Sequence, residues 1–579
     1  MSPSPVLAIS VAGPSGEMPS LHLAKQHFNF HALPRRVRDP NAENLYFKKH
    51  GRMKRIYRRV GPTEVDRGEP YPCCSAGVSQ LAHFGLGVGV YYLQLIIQSA
   101  VFVIAGLVLI PAFLLFGSSE YGVSSQDPRL YASGACSPGV IVNATQGCEN
   151  GESSCSAIYR SNCELSRNAI VADFAMSVVV IVLVFLAKIP ENELLDQLDE
   201  AVQTLQDYSV VVNNPPRDAS DSDEWHDFFN RFGTVRLVTI AKDNAKLVDS
   251  LVQKQLLLQK LDDISRNPTC CGSSVATIES KVRGLDKELE EAFKRNYDVL
   301  RIYVTFDLEE NQRLCLNELE VPNINHIRGF ADVKQRSKFR SQHVLDVVES
   351  PEFDNIHWQN LGITYWQHMQ LLALSWLLSV ALLVCCYFLI NWAHTNYLTQ
   401  LPIFITLADI TLSVLFERIT LIECAIDEDD HQDSLLLKLL SARVLISILF
   451  PYIFTSWEQF LNSSNLIAII NTQLAACFIS PILSFFDLYG IFKRYVLSYI
   501  SSETQHDLNL QWRGSDWSLA ERYTNFAKIS VLALFYALLS PLGVFIGAAA
   551  LFIVFIIDRY LLVCALKLKY QILLTYCVS

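Results

Sequence analysis

DYSVVVNNPPRDASDSDEWHDFFNRFGTVRLVTIAKD, Asp207–Asp243, is the stretch on which the fold turns. It opens on an alternating, β-branched run that stops at Pro215-Pro216, where neither proline can donate to a strand ladder. SDEWHDFFNRFG, Ser222–Gly233, has the apolar spacing of a short amphipathic helix and closes on glycine. VRLVTIAKD, Val235–Asp243, reads as a second strand, followed by a long helical run to Ile264. After a Cys-Gly-Ser loop and a charged helix comes a third strand, LRIYVTF at Leu300–Phe306. Strand, helix, strand, helix, strand is a ferredoxin-like α+β order.

Outward from this module the composition changes. The 579 residues are 51% hydrophobic and 18% charged, against roughly a quarter charged for an ordinary soluble chain. The deficit is local: the segment from Lys188 to Thr364 is charge-rich, while windows on both sides hold almost no charge. The expected fold is therefore a polytopic α-helical membrane protein of about eight hydrophobic helices, with an α+β domain inserted between two of them. Its expected parts are an N-terminal arm (1–86), two spans and their loop (87–188), the α+β domain (189–364) and a helical membrane domain (365–579). The net charge of −11 does not point to nucleic acid.

The spans are read at Gly87–Phe116, Ala169–Ala187, Met369–Trp392, Leu401–Leu421, Leu435–Trp457, Leu466–Gly490, Phe526–Ser540 and Leu542–Val563. VLAISVAG near the start is too short for the apolar core of a signal peptide. From Arg35 to Arg59 the arm carries ten Lys and Arg residues, which hold it on the cytosolic side. An anionic-lipid site there is the minor alternative. Cys73 and Cys74 read as either palmitoylated or buried.

The loop after the first span holds Cys136, Cys148, Cys155 and Cys163, enough for two disulfides in three alternative connectivities. It also holds the sequon at Asn143, and Asn462 heads a second. Disulfides and glycans both belong to an exoplasmic face, so loop and basic arm agree on orientation. The N-terminus and 189–364 are then cytosolic, in a plasma membrane or endomembrane protein.

Polar residues inside apolar segments mark protein interiors or water-filled paths. The candidates lining a path are Asp409, Glu417, Asn471, Gln473 and Asp487. Asp409 stands out, because no basic residue lies within a turn of it. Arg443 can instead be the partner of an acid on a neighbouring helix, and Glu417 with Arg418 can be an interfacial pair. Pro481, Phe485, Phe486, Gly490 and Pro541 are the hinge or gate candidates. DEDDHQD from Asp427 lacks the glycine and closing glutamate of an EF-hand and reads as a solvated turn.

No phosphate-cradling glycine loop, H-E-x-x-H or zinc-type cysteine spacing appears, so neither enzyme chemistry nor a cofactor or metal is expected. An RNA-recognition reading of the α+β module fails on its third strand, which lacks the required glycine. Phe228, Phe229, Tyr303 and Phe306 are better read as core.

The module resembles the cytosolic domain of the hyperosmolality-gated, calcium-permeable channels (OSCA/CSC-like), relatives of the anoctamins and transmembrane-channel-like proteins. The resemblance rests on the Tyr208 strand ending at Pro215-Pro216, Phe232-Gly233, VRLVTIAKDNAKL (Val235–Leu247), IYVTF and NIHWQNLGIT (Asn355–Thr364). ISPILSFFDLYG (Ile479–Gly490) and the Ser540-Pro541-Leu542 hairpin extend it into the membrane half. It implies a mechanically or osmotically gated cation channel, whose path is lined by the five helices from Met369, Leu401, Leu435, Leu466 and Phe526. The implied partners are membrane lipids and calcium, potassium and sodium ions, with a homodimer as one open assembly. The chain departs from the family pattern in lacking its extra N-terminal span and its last helices. A phospholipid scramblase and a non-conducting scaffold therefore stay open as alternatives.

Overall fold

The structure is a computed structural model that describes residues 20–28, 33–38, 57–60, 68–72, 76–117, 130, 133–134, 140–144, 155–159, 167–199, 204–266, 272–319, 338–453, 463–498, 505–512, 516–565 and 567–568. The N-terminal arm holds a helix, α1 (Leu21–His27), and three short antiparallel strands, β1 (Arg35–Arg38), β2 (Tyr57–Arg59) and β3 (Glu69–Pro70). No strand was expected there, because arginines mask the two-residue period. The first long apolar helix, α2 (Leu86–Val108), continues after a break at Leu109 as Ile110–Phe116. The following loop contains a hairpin, β4 (Val140–Ala144) and β5 (Cys155–Tyr159), which sets Asn143 opposite Ser156. Helix α3 (Arg167–Asp199) passes the expected boundary at 188 without ending, although Pro190 lies inside it.

The inserted module is built on β6 (Ser209–Val212), α4 (Ser222–Phe229), β7 (Val235–Lys242), α5 (Ala245–Arg266), α6 (Gly272–Phe293), β8 (Val299–Phe306), α7 (Glu309–Leu319) and β9 (Val347–Glu349). All neighbouring strands are antiparallel, in the order β9-β6-β8-β7. The run Val210–Val212 is buried throughout because both faces of the sheet are covered. Val210 and Val212 meet Trp225 and Phe229 of α4 and Cys315 and Leu319 of α7 in one core. Val211 and Tyr303, on the opposite face, pack with Ile356, Leu361 and Trp358. Phe229 and Phe306 are buried with Phe228 packed against their cluster, and Tyr303 is buried on the opposite face, so these aromatics do fill the core.

Two local devices hold α4. Asp221 caps its N-terminus, accepting from the Asp223 amide at 3.0 Å. At its other end Gly233 has φ +156, and a Cβ there would lie 2.1 Å from Asn311. Only glycine fits. Beside the helix, Arg340 forks onto Glu224 at 2.6 Å and reaches Asp218 at 2.7 Å.

The helical half contains α8 (Tyr365–Asn396), α9 (Leu401–Thr420), α10 (Glu428–Val444), α11 (Ser463–Leu474), α12 (Ser480–Phe486), α13 (Gln505–Trp512), α14 (Leu519–Phe535) and α15 (Leu542–Tyr560). Among the described residues, six helices are long and apolar enough to cross a membrane: Leu86–Val108, Asn168–Leu195, Tyr365–Asn396, Leu398–Glu423, Asn465–Leu497 and Leu542–Val563. The two remaining expected spans fall on α10 and α14. Those helices bury Lys438, Arg443, Arg522 and Lys528, which lowers their hydropathy. Helix α15 packs on α2, α2 on α3, α10 on α14, and α9 on both α8 and α10.

Candidate functional site

Charge is placed on the inward stripe of four helices. On α9 the buried residues Ile405, Ala408, Asp409, Leu412 and Phe416 recur at helical spacing, so Asp409 points where the apolar side chains point. On α10 the corresponding stripe is Leu435, Lys438, Leu439, Ala442 and Arg443. Lys528 lies beside Ile529 and Leu532 on α14, and Asp558 one turn beyond Val554 on α15.

These residues form three buried polar clusters. In the central one, Arg443 Nε donates to Asp409 Oδ1 at 2.9 Å and Lys528 Nζ to Asp409 Oδ2 at 2.8 Å. Arg443 also donates to the Glu521 carbonyl at 3.0 Å, Thr524 Oγ1 at 2.7 Å and Ser413 Oγ at 2.8 Å. One carboxylate thus ties α9 to both α10 and α14. In the second cluster, Lys438 Nζ donates to Glu423, Ser375 Oγ at 2.8 Å and Ser434 Oγ at 3.0 Å. In the third, Asp558 accepts from Arg522 Nη1 at 3.0 Å and from the Tyr91 hydroxyl at 2.6 Å, joining α15 to α14 and α2. Across these clusters Lys438, Arg443, Arg522 and Lys528 pair with Glu423, Asp409 and Asp558. Removing one partner from such a buried pair leaves an uncompensated charge, at a cost of about 3–5 kcal/mol.

A groove of about 400 Å³ lies between the start of α9 and the end of α11. Thr399, Pro402 and Ile403 line one wall, and Asn471, Ala475 and Phe478 the other. The second wall is a broken helix. After α11 the backbone widens into a π-turn at Ala475–Ile479, where the Ser480 amide reaches back to the Ala475 carbonyl. Pro481 follows at once. It has no N–H to give, and a tighter turn would drive its ring into the preceding carbonyl. Pro451 follows a second π-turn, Leu445–Leu449, in the same way.

Helix α12 then ends at Asp487, whose φ of 40 is left-handed. The Gly490 amide donates to Asp487 Oδ1 at 3.1 Å. A Cβ on Gly490 would come within 1.9 Å of that carboxylate. The break is therefore built into local sequence.

The residues singled out from sequence are dispersed across these features. Asp409 is 5% exposed and engaged by two cations, one of them Arg443, so its carboxylate faces protein groups. Asn471 lines the groove. Gln473 is buried and donates to the Leu532 carbonyl at 3.2 Å. Glu417 is exposed at the end of α9. Pro481 is buried, while Phe485 and Phe486 are exposed and Phe485 packs on Tyr560 at 5.3 Å. Pro541 caps α15 at the turn from α14.

Cys136, Cys148, Cys163, Cys73, Cys74 and Asn462 lie outside the described residues, as do the side chains of Cys155 and Asn143. Lys438, Lys528, Asp558 and Tyr91 were missed. The signal was present for the first three, since each is an ionisable residue at an apolar-stripe position within a hydrophobic window.

Outside the spans, the acidic run read as a solvated turn instead forms the N-cap and first turns of α10, with Glu428 and His431 buried. Burial, with Asp429 and Asp430 close by, pushes the Asp427 carboxyl up to about 6.

Comparison with known proteins finds no family model that matches the chain, and no curated protein matches it.

Proposed function

We propose that the chain is a mechanically or osmotically gated, calcium-permeable cation channel of the OSCA/CSC-like kind, with eight helices in the membrane and a ferredoxin-like cytosolic domain. The observation that carries this reading is the broken helix facing the groove. A π-turn, a proline and a left-handed Asp487 within thirteen residues give one membrane helix two places to straighten or bend. Such a helix can exchange two packings of different membrane area, which is what tension acts on. Asn471 supplies a polar side chain on the groove wall. In the conformation described, Asp409 and Glu423 are held by internal cations, which fits a closed state. The sheet order β9-β6-β8-β7 supports the ferredoxin-like assignment.

Groove composition favours a second reading. Its walls are mostly apolar, with Thr399 and Asn471 the polar exceptions, and such a surface suits lipid as well as ions. The scramblase alternative rests on this. Purified chain in liposomes loaded with a calcium indicator, and in parallel carrying a dithionite-quenchable lipid, separates the two. Calcium entry on osmotic swelling without lipid exchange is expected. Lipid exchange without calcium entry would replace the channel by a scramblase, and neither flux would leave the scaffold reading.

A further inference from the structure

We propose that His357 and Glu428 form a proton-held latch between the inserted α+β domain and the helical half, closed while the pair carries an added proton and released when that proton leaves. His357 Nδ1 is 3.0 Å from the Ala425 carbonyl, and Nε2 is 3.0 Å from Glu428 Oε2. A carbonyl oxygen only accepts, so Nδ1 must carry hydrogen. In neutral histidine Nε2 then presents a lone pair to a carboxylate oxygen. The second contact is a hydrogen bond only when one further proton lies between ring and carboxyl, as imidazolium–carboxylate or as imidazole–carboxylic acid. His357 keeps 27% of its side chain exposed, which gives water a way to that proton.

The pair sits on the joint between the two halves. The His357 amide donates to the Ile426 carbonyl at 2.8 Å, Ile356 bridges Asp427, and Asn360 Nδ2 shares the Ala425 carbonyl at 2.7 Å. On the domain side, Ile356 and Trp358 pack against Tyr303 of the sheet. On the helical side, Glu428 Oε1 accepts from Gln432 Nε2 at 2.6 Å. Gln432 Oε1 in turn accepts from the Ala520 amide and from Ser518 Oγ, each at 3.3 Å. Ser518 is the N-cap of α14, the helix that carries Arg522 and Lys528. A proton on His357 is therefore two side chains away from the start of a core helix.

Other ionisable groups surround the pair. From α10 and its cap the joint sees Asp427, Asp429, Asp430, Asp433 and the His431 ring, 6.5 Å from His357. From β8 it sees Arg301 and Tyr303, both within electrostatic range of one another and Tyr303 of Asp427. Beyond them, Asp243 lies under Gly362, and His368 Nδ1 is 3.1 Å from the Glu423 carbonyl. Asp427, pushed up to about 6 by burial with Asp429 and Asp430 beside it, also titrates at the joint. Closing therefore takes up protons, and the closed joint loses ground as pH rises.

Hydrogen exchange of the full chain in nanodiscs, corrected for intrinsic rates, tests this between pH 5.5 and 8.5. Protection of segments 356–361 and 425–432 is expected to fall with rising pH, by up to about tenfold per unit for one linked proton. Glu428→Gln supplies a permanent N–H toward Nε2, so its protection stays high and flat above pH 6.5. His357→Gln, which donates without titrating, also gives a flat profile above pH 6.5, at a lower level. A flat wild-type profile overturns the latch, and so does a wild-type slope in either variant. The outcome does not depend on whether the helical half conducts ions.

Discussion

Neutralising Asp409 is the sharpest perturbation of the buried belt. Its two oxygens each hold one cation at 2.8–2.9 Å. At an effective dielectric of about 20, each contact is worth roughly 6 kcal/mol of Coulomb energy before desolvation is subtracted. Asp409→Asn keeps the shape and one acceptor oxygen but leaves Arg443 and Lys528 both charged and both buried. Net destabilisation of about 3–5 kcal/mol is expected, the range found when one partner of a buried pair is removed. Arg443 retains Thr524, Ser413 and the Glu521 carbonyl, whereas Lys528 loses its one carboxylate among the described contacts. Lys528 should therefore account for most of the loss. Adding Lys528→Met to Asp409→Asn should recover at least about 1–2 kcal/mol relative to the sum of the single effects, since contacting residues couple on that scale. Equilibrium unfolding in mixed micelles measures all three variants. An Asp409→Asn effect below about 0.5 kcal/mol, or strict additivity with Lys528→Met, would refute the view that this carboxylate bridges two buried cations.

Tyr91→Phe deletes a hydroxyl that donates to the Asp558 carboxylate at 2.6 Å, and should lower stability in the same assay by about 1.5–3 kcal/mol. Gly233→Ala sets a Cβ against Asn311 at a left-handed φ, so hydrogen exchange should speed up in α4 and α7 while α2 and α15 stay unchanged. Arg340 holds the Asp218 and Glu224 carboxyls below their ordinary range, by hydrogen bonds first and charge second. Because the folded values are depressed, their stabilisation is present above about pH 4 and is lost as pH falls through the folded values. Arg340→Gln should move the acid-induced loss of protection in 218–229 upward, into the normal carboxylate range.

The strands and helices of the inserted module were legible because each is a local pattern: Val210–Val212 before a Pro-Pro stop, Trp225 and Phe229 one turn apart, glycine at 233. Strand β9 was not, since three residues with one buried side chain have no period of their own. Helix α7 was missed although Gln312, Cys315 and Leu319 form a buried stripe at helical spacing. In the helical half, apolar windows marked the spans, and the stripe positions of Lys438, Lys528 and Asp558 could have marked them as inward-facing. What the sequence did not contain was the pairing. Asp409 meets cations 34 and 119 residues away, brought together only by helix packing, so its isolation along the chain said nothing about its isolation in space. Its place among the path-lining candidates was drawn from neighbours in sequence, and in the conformation described its carboxylate faces Arg443 and Lys528.

The central claim is that the broken helix beside the groove opens under tension to pass cations. Patch-clamp recording from liposomes that contain only the purified chain tests this directly. Currents that rise steeply with suction, with a reversal potential set by the cation gradient and calcium carried as well as potassium, are the expected result. Silence from folded protein at every tension up to membrane rupture would contradict it.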